Sequence, residues 1–407
     1  MLFITFLWIL IWGGMFSGIY NIQSPRFLSD PFSIMQGVRS LFPILAFYLC
    51  LIWILAKRPK FPFLRNPLGF LMSYSLIGFL TSLFLSVDTT TSIYWVSIYL
   101  APLLVFWSIL AEESARSIVQ KIIYINYVIF FFIAFSVFPE VAKILLGRAR
   151  LTSYNHLPFN LGLMTKNGTG RFALVVFIVA ISRMSSQGKR FRFFWAASTL
   201  VSLIILAGTQ SRTALLGLAI CLVLYVLLQG INWRFLFLGP VITAIVWVSG
   251  VKWRAHGQWD MLLSLTGRQG TWQRGLEMIK HSPLLGWGFN ADRLMLNLEH
   301  MHNSYLHAMI HTGIVGVLFF IAAIIGIWYL IFRHNLIFRA RGAQGSDKPL
   351  LMESVMIIGF LTARSFFEST AAFYGVDLLL LIPAMAYVVL AARHESVPLE
   401  EPIAEVS

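Results

Sequence analysis

Apolar runs long enough to cross a lipid bilayer recur along the whole sequence. A membrane-crossing helix needs about 17–25 mainly apolar residues, and hydropathy gives about twelve such runs. Charged residues make up only 12% of the 407-residue chain, against about 25% in soluble domains. The sequence therefore predicts an all-α polytopic membrane protein. The predicted spans lie near residues 1–20, 41–56, 68–86, 92–111, 122–138, 162–182, 193–208, 213–229, 235–250, 303–332, 351–369 and 372–392.

Nearly all of the chain is expected to form one integral membrane domain, residues 1–392. A long loop at about 251–302 interrupts it, and a short acidic tail follows at 393–407. Residues 1–20 lack a basic start and a small-residue cleavage site, so they are expected to form the first span rather than a signal peptide. Cys50 and Cys221 both fall in apolar runs, where free thiols are expected to pack as apolar groups. Any activity must therefore use the spans and their loops.

The distribution of Lys and Arg predicts the orientation. One set of loops, at 57–65, 183–192 and 333–348, is rich in both residues, whereas the opposite short loop at 87–90 has none. Cationic loops stay on the cytoplasmic side, so both termini are expected there and the long loop outside. The outer side would still hold Arg148, Arg150, Arg212, Lys252, Arg254, Arg268, Arg274, Lys280 and Arg293.

Arg212 stands out among these outer cations because it lies in a tight turn between two spans. Long loops escape the charge rule, but a turn of a few residues does not. A charge at a membrane end needs a partner. That partner is either an external anion or a carboxylate such as Glu368.

The long loop contains a segment whose sequence predicts an amphipathic helix. Residues 267–279 place Trp272, Leu276 and Ile279 on one face, with Thr266 as a cap, Pro283 as a stop and a turn at 286–288. Arg268 falls in the first turn, where free backbone N–H groups favour an anion, and its planar fork matches phosphate oxygens. The alternative is a helix that lies on lipid headgroups.

A cluster of histidines follows, at His300, His302, His307 and His311. His302 precedes Asn303, a good helix cap, and an imidazole held there could accept a proton from an attacking hydroxyl. A structural histidine is the alternative. A metal site built from Glu299, His300 and His302 is a third interpretation, although its spacing is unfamiliar. His307 and His311 share one helix face and are expected to line a pore or to pack, and Gly313 and Gly316 are expected to allow close helix packing.

Two further polar groups interrupt predicted spans. Residues 166–171 bring Lys166, Asn167 and two glycines into the sixth span, which indicates either a broken helix that lines a substrate cavity or a misplaced boundary. Arg364 and Glu368 are four residues apart near the outer end of the eleventh span. They are either a functional pair or a mutual salt bridge.

The sequence lacks a P-loop, a dinucleotide-binding glycine motif, a zinc-finger spacing and a serine-hydrolase elbow. It also has no DxD-type acidic pair that would hold a metal-bound nucleotide sugar. ATP-driven transport and nucleotide-sugar chemistry are therefore disfavoured.

The order of the outer motifs resembles that of the bacterial O-antigen ligase family, whose superfamily also contains O-antigen and exopolysaccharide polymerases. The motifs are TQSRTALLGL at 209–218, TGRxxxW at 266–272, PLLGWGFN at 283–290 and HMHNSYLHAMIHTGIVG at 300–316. The resemblance implies a multi-pass protein of the bacterial inner membrane that transfers a glycan from undecaprenyl pyrophosphate to a sugar hydroxyl on the periplasmic face. It implies no cofactor, neither nucleotide nor metal, and membrane lipids but no nucleic acid as partners.

The resemblance also implies roles for individual residues. Arg212 and Arg268 match the arginines that bind pyrophosphate, and His302 matches the essential histidine. These three are the expected catalytic residues. The residues expected to bind the substrates are Arg150, Lys166, Asn167, Trp272, His300, Asn303, Tyr305 and Arg364.

Four functions remain possible at this point: a ligase and three alternatives to it. A ligase would use lipid A-core as its acceptor in lipopolysaccharide biosynthesis, and the modest outer loop favours this activity. A polymerase would join lipid-linked repeat units. A secondary transporter of an anionic solute would explain the arginines but not the outer loop that ends in His302 and Asn303, and a scaffold protein would tolerate alanine at all three catalytic positions.

Overall fold

The computed structural model describes residues 2–15, 39–59, 66–145, 166–186, 189–209, 211–230, 268–297, 299–342 and 347–393. These residues form helices and connecting loops, with no strand among them. The helices are α1 (Leu2–Gly13), α2 (Leu41–Lys57), α3 (Pro67–Phe84), α4 (Thr89–Leu110), α5 (Ala115–Leu145), α6 (Lys166–Ser186), α7 (Lys189–Thr209), α8 (Arg212–Gln229), α9 (Arg268–His281), α10 (Ala291–Met295), α11 (Ser304–Arg333), α12 (Leu336–Gly342), α13 (Asp347–Arg364) and α14 (Val376–Arg393).

Eight helices in the described part of the chain are long and apolar enough to cross a membrane: α3, α4, α5, α6, α7, α8, α11 and α14. α1 and α2 are apolar but shorter, and α13 overlaps the predicted eleventh span. The prediction of an all-helical polytopic membrane protein is thus confirmed. The predicted ninth span, 235–250, lies outside the described residues, so the number twelve stays a prediction.

The middle of the bundle is built from α4, α6, α13 and α14, whose side chains are largely buried. Aromatic side chains connect this middle to the loop between α13 and α14. The hydroxyls of Tyr74 and Tyr99 each donate a 2.8 Å hydrogen bond, to the carbonyls of Ala372 and Ala371 respectively. Cys50 and Cys221 are free and buried, as predicted.

Helix α11 is kinked at Gly313, which has φ 59° and ψ −165°. The segment before α10 supplies the hydrogen bonds that the kink removes. Trp287 N donates to the Ile310 carbonyl at 2.8 Å, and Gly288 N donates to the His311 carbonyl at 2.9 Å. In return Ile314 N donates to the Pro283 carbonyl at 2.8 Å. A break in a membrane helix is tolerated when buried protein groups satisfy its backbone in this way.

Glycine is required where these two segments meet. A Cβ on Gly313 would lie 2.2 Å from the carbonyl carbon of Leu284, and one on Gly286 would lie 2.6 Å from Gly313 N. Both residues also have φ in the left-handed region, at 59° and 71°. The sequence predicted only close helix packing at Gly313. In the structure α11 is kinked there, and its backbone is hydrogen-bonded to residues 283–288.

Helix α6 corrects the expectation of a broken sixth span. The helix begins at Lys166, and residues 167–184 form one uninterrupted candidate span. The polar residues 166–171 therefore belong to this helix, and residues 162–165 of the predicted span lie outside the described residues. The polar first turn still matters, because it faces the loop between α13 and α14.

Candidate active site

Polar side chains from five segments meet at one end of the bundle. They come from the starts of α6, α8, α9 and α11 and from the loop between α13 and α14. Ser304, at the start of α11, donates hydrogen bonds from its hydroxyl to the carbonyls of Glu368 and Thr370, at 2.9 and 2.8 Å. Its backbone N donates to the Ser365 carbonyl at 2.9 Å. The residues before α11 are thereby fixed against this loop.

His302 and Glu368 form a hydrogen-bonded pair at the centre of this group. Nδ1 of His302 lies 2.9 Å from Oε2 of Glu368. An ionised carboxylate only accepts hydrogen bonds, so Nδ1 carries the proton in this hydrogen bond. The His302 side chain is 41% exposed and Glu368 is buried. The imidazole therefore has one nitrogen anchored and a face open to a second molecule.

The predicted helix cap at Asn303 is confirmed. Its side-chain oxygen accepts from the backbone N of Tyr305 and of Leu306, both at 3.0 Å. Its amide nitrogen donates to the Phe366 carbonyl at 3.1 Å. The preceding residue, His302, adopts φ 47°, which turns its ring away from the helix axis and toward Glu368.

Arg268 starts α9, as predicted, and reaches the same carboxylate. Its Nη2 donates to Oε1 of Glu368 at 3.1 Å, and its Nη1 donates to the Phe367 carbonyl. A guanidinium has five N–H donors, so the remaining ones are available to an anion. The side chain is 19% exposed. Arg268 is thus held at the site by its contacts with Glu368 and Phe367.

Asn167 closes the other side of Glu368. Its side-chain nitrogen donates to Oε1 of Glu368 at 3.2 Å, and its oxygen accepts from the Ser211 hydroxyl at 3.1 Å. Ser211 immediately precedes Arg212, the first residue of α8. Arg212 is itself exposed. The turn that carries Arg212 is therefore connected to Glu368 through a single residue, Asn167.

Burial and charge oppose each other at Glu368. Burial favours the neutral acid, but the hydrogen bond from His302 and the charges of Arg364, His302 and Arg268 outweigh it and lower the pKa of this carboxyl. Glu368 is therefore an anion at neutral pH, surrounded by the donors of three elements.

Arg364 has a different partner from the one that its spacing suggested. Its Nε donates to Oδ2 of Asp377 at 3.0 Å, and its Nη1 donates to the Thr213 hydroxyl at 3.1 Å. Arg171 takes the other oxygen of Asp377 at 2.9 Å. Arg364 is 6% exposed. Its hydrogen bonds connect the starts of α8 and α14, so it contributes to the site indirectly.

Trp272 joins α9 to the loop before α11. Its indole nitrogen donates to the Met301 carbonyl at 2.6 Å. The buried face of α9 consists of Gly275, Met278 and Ile279. Leu276, which was expected on that face, is 47% exposed, because the helix packs along the Met278 side instead.

Among the remaining predicted site residues, the structure describes the side chain of Tyr305 but not those of Arg150 and Lys166. The hydroxyl of Tyr305 accepts a 3.0 Å hydrogen bond from Ser365, so its side chain also contacts the loop between α13 and α14. Arg150 lies outside the described residues, and only the backbone of Lys166 is described. Their expected contacts with substrates stay predictions, as does the cap at Thr266.

The histidine cluster is arranged differently from the predicted metal set. Glu299 pairs with Arg274 and Thr271, and His302 pairs with Glu368, so Glu299, His300 and His302 do not converge on one point. His300 instead turns inward. Burial, with the charge of His307 as a second cause, lowers the pKa of His300 to about 2.

The sequence analysis did not recognise the roles of three acidic residues near the site. Glu368 was considered only as a partner of arginines, and its histidine partner is 66 positions away. Asp377 and Asp292 were not singled out. Asp377 falls inside a predicted span, where an ionisable residue is a functional candidate by default, so that signal was present in the sequence.

The fold and the site define a polytopic helical membrane protein in which arginines, a histidine and a buried carboxylate meet at one end of the bundle. Residues 197–321 match the family model described as O-antigen ligase, and this segment contains Arg212, Arg268 and His302. Residues 197–321 are thus similar to the O-antigen ligase family, and the resemblance seen in the sequence is confirmed.

A curated protein supports a distant relationship as well. The chain is 25% identical to the exopolysaccharide production protein ExoQ of Rhizobium meliloti (strain 1021). The match covers 53% of this chain and 59% of the relative. The chain therefore spans about three-fifths of the length of that relative.

Proposed function

We propose that this protein is a membrane glycosyltransferase that moves a glycan from undecaprenyl pyrophosphate to a sugar hydroxyl on the periplasmic face. The observation that carries this proposal is the convergence of Arg268 and His302 on Glu368, beside the turn that holds Arg212. The family match makes a lipid-linked glycan the substrate class.

The donor is already activated, because a lipid pyrophosphate is a good leaving group. The bond between the sugar carbon and the pyrophosphate oxygen breaks, and negative charge develops on that oxygen. Preorganised cations stabilise such a charge at little reorganisation cost. The free N–H groups of Arg268 and the exposed guanidinium of Arg212 are the groups that we assign to this task.

The acceptor hydroxyl is a weak nucleophile, and His302 is the base that we assign to it. Nε2 accepts the hydroxyl proton while the oxygen attacks the sugar carbon, and Glu368 balances the imidazolium that forms. A positioned base contributes about 10²–10⁴-fold in rate. The Nδ1 contact at 2.9 Å fixes the ring so that Nε2 is the reacting nitrogen.

An apolar groove next to the site suits a lipid-linked substrate. It has a volume of about 620 Å³ and runs between α11 and α13. Tyr305 and Phe366 line it, and Phe366 provides the carbonyl that Asn303 contacts. A polyprenyl tail in this groove would bring its pyrophosphate toward Arg268. The other residues that line the groove are Ile321, Ile324, Ile325, Trp328, Tyr329, Phe332 and Thr362.

The charge distribution supports a periplasmic location. Arg183 lies in the last turn of α6, whereas Asn167, which contacts Glu368, lies in the first turn of the same helix. The cationic loop after α6 is therefore separated from the site by the length of this helix, and cationic loops remain in the cytoplasm. We assign the protein to the bacterial inner membrane on this basis.

Among acceptors we favour lipid A-core, which makes the protein an O-antigen ligase in lipopolysaccharide biosynthesis. The alternative is a polymerase that joins lipid-linked repeat units, and the similarity to an exopolysaccharide production protein favours that alternative. A transporter is the weaker candidate, because it needs no base paired with a carboxylate beside two arginines.

One assay separates these activities. Purified protein is given an undecaprenyl-pyrophosphate-linked glycan together with either lipid A-core or a second lipid-linked glycan, and the products are separated by mass. A glycan on lipid A-core supports the ligase, and a lengthened lipid-linked glycan supports the polymerase. Absence of both products, together with uptake of the free glycan into proteoliposomes, would contradict glycan transfer.

A further inference from the structure

A second group of polar side chains lies buried next to His302. It consists of Asp292 on α10, His300 in the loop before His302 and His307 on α11, and we call it the buried triad. One potential metal-ligand atom from each residue lies within 4.8 Å of the others. The rings of His300 and His302 are stacked with centroids 5.1 Å apart. The proposed transfer does not use any member of the triad as an acid, base or phosphate ligand.

The buried triad has polar atoms that no protein group satisfies. Asp292 is completely buried, and its Oδ2 makes no hydrogen bond; the same holds for both ring nitrogens of His307, which is 2% exposed. Oδ2 lies 3.1 Å from Nδ1 of His307, within the range of an ion pair. A buried charge is normally paired and hydrogen-bonded or coordinates a metal.

Two ligand separations in the triad are close to those around a small tetrahedral cation. Bonds of about 2.0–2.1 Å to Zn²⁺ place neighbouring ligand atoms about 3.3 Å apart. Oδ2 of Asp292 lies 3.1 Å from Nδ1 of His307 and 3.8 Å from Nδ1 of His300, so the two separations bracket that value. Imidazole and carboxylate are both ligands of zinc. The hydroxyl of Ser369, 3.2 Å from the same His300 nitrogen, is the neighbour that would give way to the ion.

His311 lies beside the carboxylate of Asp292, outside the triad. Its Nε2 lies 3.4 Å from Oδ1 of Asp292 and accepts a 3.0 Å hydrogen bond from the backbone N of Asn290.

We propose that Asp292, His300 and His307 bind one Zn²⁺ ion. The ion would tie α10 and the first turn of α11 to the loop that carries His302, and would hold that loop in place without entering the reaction. This site is distinct from the trio Glu299, His300 and His302 that the sequence suggested. It goes beyond glycan transfer and does not depend on which acceptor the enzyme uses.

The test is a measurement of metal content. The full chain is purified in detergent, the affinity tag is removed, and zinc is counted by inductively coupled plasma mass spectrometry. We expect about one zinc per wild-type chain, because the triad offers one set of ligand atoms, and loss of most of it in Asp292→Asn and in His307→Gln. His281→Gln is the matched control, since His281 is exposed at the end of α9, and it should keep the wild-type content.

A second measurement applies if the variants fail to fold. Wild-type protein stripped with dipicolinate is titrated with Zn²⁺ and, separately, with Co²⁺. We expect the melting temperature to rise again with Zn²⁺ and tetrahedral Co²⁺ absorption to appear. Wild-type protein that holds no zinc, and that gives neither response after stripping, would overturn the proposal. That result would leave the proposed glycan transfer unaffected, because the reaction does not use the triad. The triad would then contain a histidine–aspartate pair and no ion.

Discussion

Nδ1 of His302 lies 2.9 Å from Oε2 of Glu368, and the second carboxylate oxygen accepts from Arg268 and Asn167. One buried carboxylate thus connects the proposed base with the proposed phosphate-binding arginine. Because Glu368 fixes the tautomer of His302, we regard it as a positioning residue that acts through the imidazole.

Glu368→Gln is expected to slow glycan transfer while donor binding persists. Glutamine keeps the size of the side chain but removes the charge that balances an imidazolium. The loss should fall within the roughly 10²–10⁴-fold that a positioned base contributes, and single-turnover rates across pH measure it. Glu299→Gln is the control, because Glu299 pairs with Arg274 at a more exposed position. Equal rates in both variants would remove Glu368 from the mechanism.

Arg268→Lys is expected to restore little of the activity that Arg268→Ala loses. Lysine lacks the planar fork that contacts Glu368 and Phe367 while also offering donors to phosphate. Loss of charged hydrogen bonds costs about 1.5–3 kcal/mol, so transfer should fall roughly tenfold to a hundredfold. Arg274→Lys on the same helix, where the side chain is 55% exposed, should behave like wild type. Full activity in Arg268→Ala would reduce α9 to a membrane-surface helix.

Gly313→Ala is expected to destabilise the fold. A non-glycine residue at this φ and ψ costs about 1–3 kcal/mol, and the added Cβ would clash with the Leu284 backbone at 2.2 Å. Gly270→Ala is the matched control, since a Cβ there meets no atom within 4 Å. Thermal unfolding in detergent compares the two variants. A Gly313→Ala protein as stable as wild type would show that the kink is not needed.

The site is expected to face the periplasm. Cysteine is introduced at Glu277, exposed on α9, or at Gly342, at the end of α12, and intact cells are treated with a membrane-impermeant maleimide. We expect labelling at position 277 only, and the native Cys50 and Cys221 stay silent because they are buried. Labelling at 342 and not at 277 would invert the orientation and contradict a periplasmic reaction.

The positions of the helices were predictable because hydropathy reports directly on membrane crossing. Every predicted span in the described part of the chain overlaps a helix. The kink at Gly313 was not predictable in this way. Glycine is common in membrane helices, and the groups that stabilise the kink lie at residues 283–288, more than twenty positions earlier.

The site was predictable in its residue types but not in its connections. Arg268, His302 and Asn303 were found from their local positions at helix starts. Glu368 joins them only through tertiary structure, because the loop between α13 and α14 folds against the start of α11. Sequence spacing left an Arg364–Glu368 salt bridge as one of two interpretations, whereas Asp377 binds Arg364 from the next helix.

The most direct test of the central claim is single-turnover glycan transfer by purified His302→Ala, with undecaprenyl-pyrophosphate-linked glycan as donor. If His302 is the base, transfer should fall by about 10²–10⁴-fold while the affinity for the donor stays near that of the wild type. Transfer at the wild-type rate in His302→Ala would contradict the account.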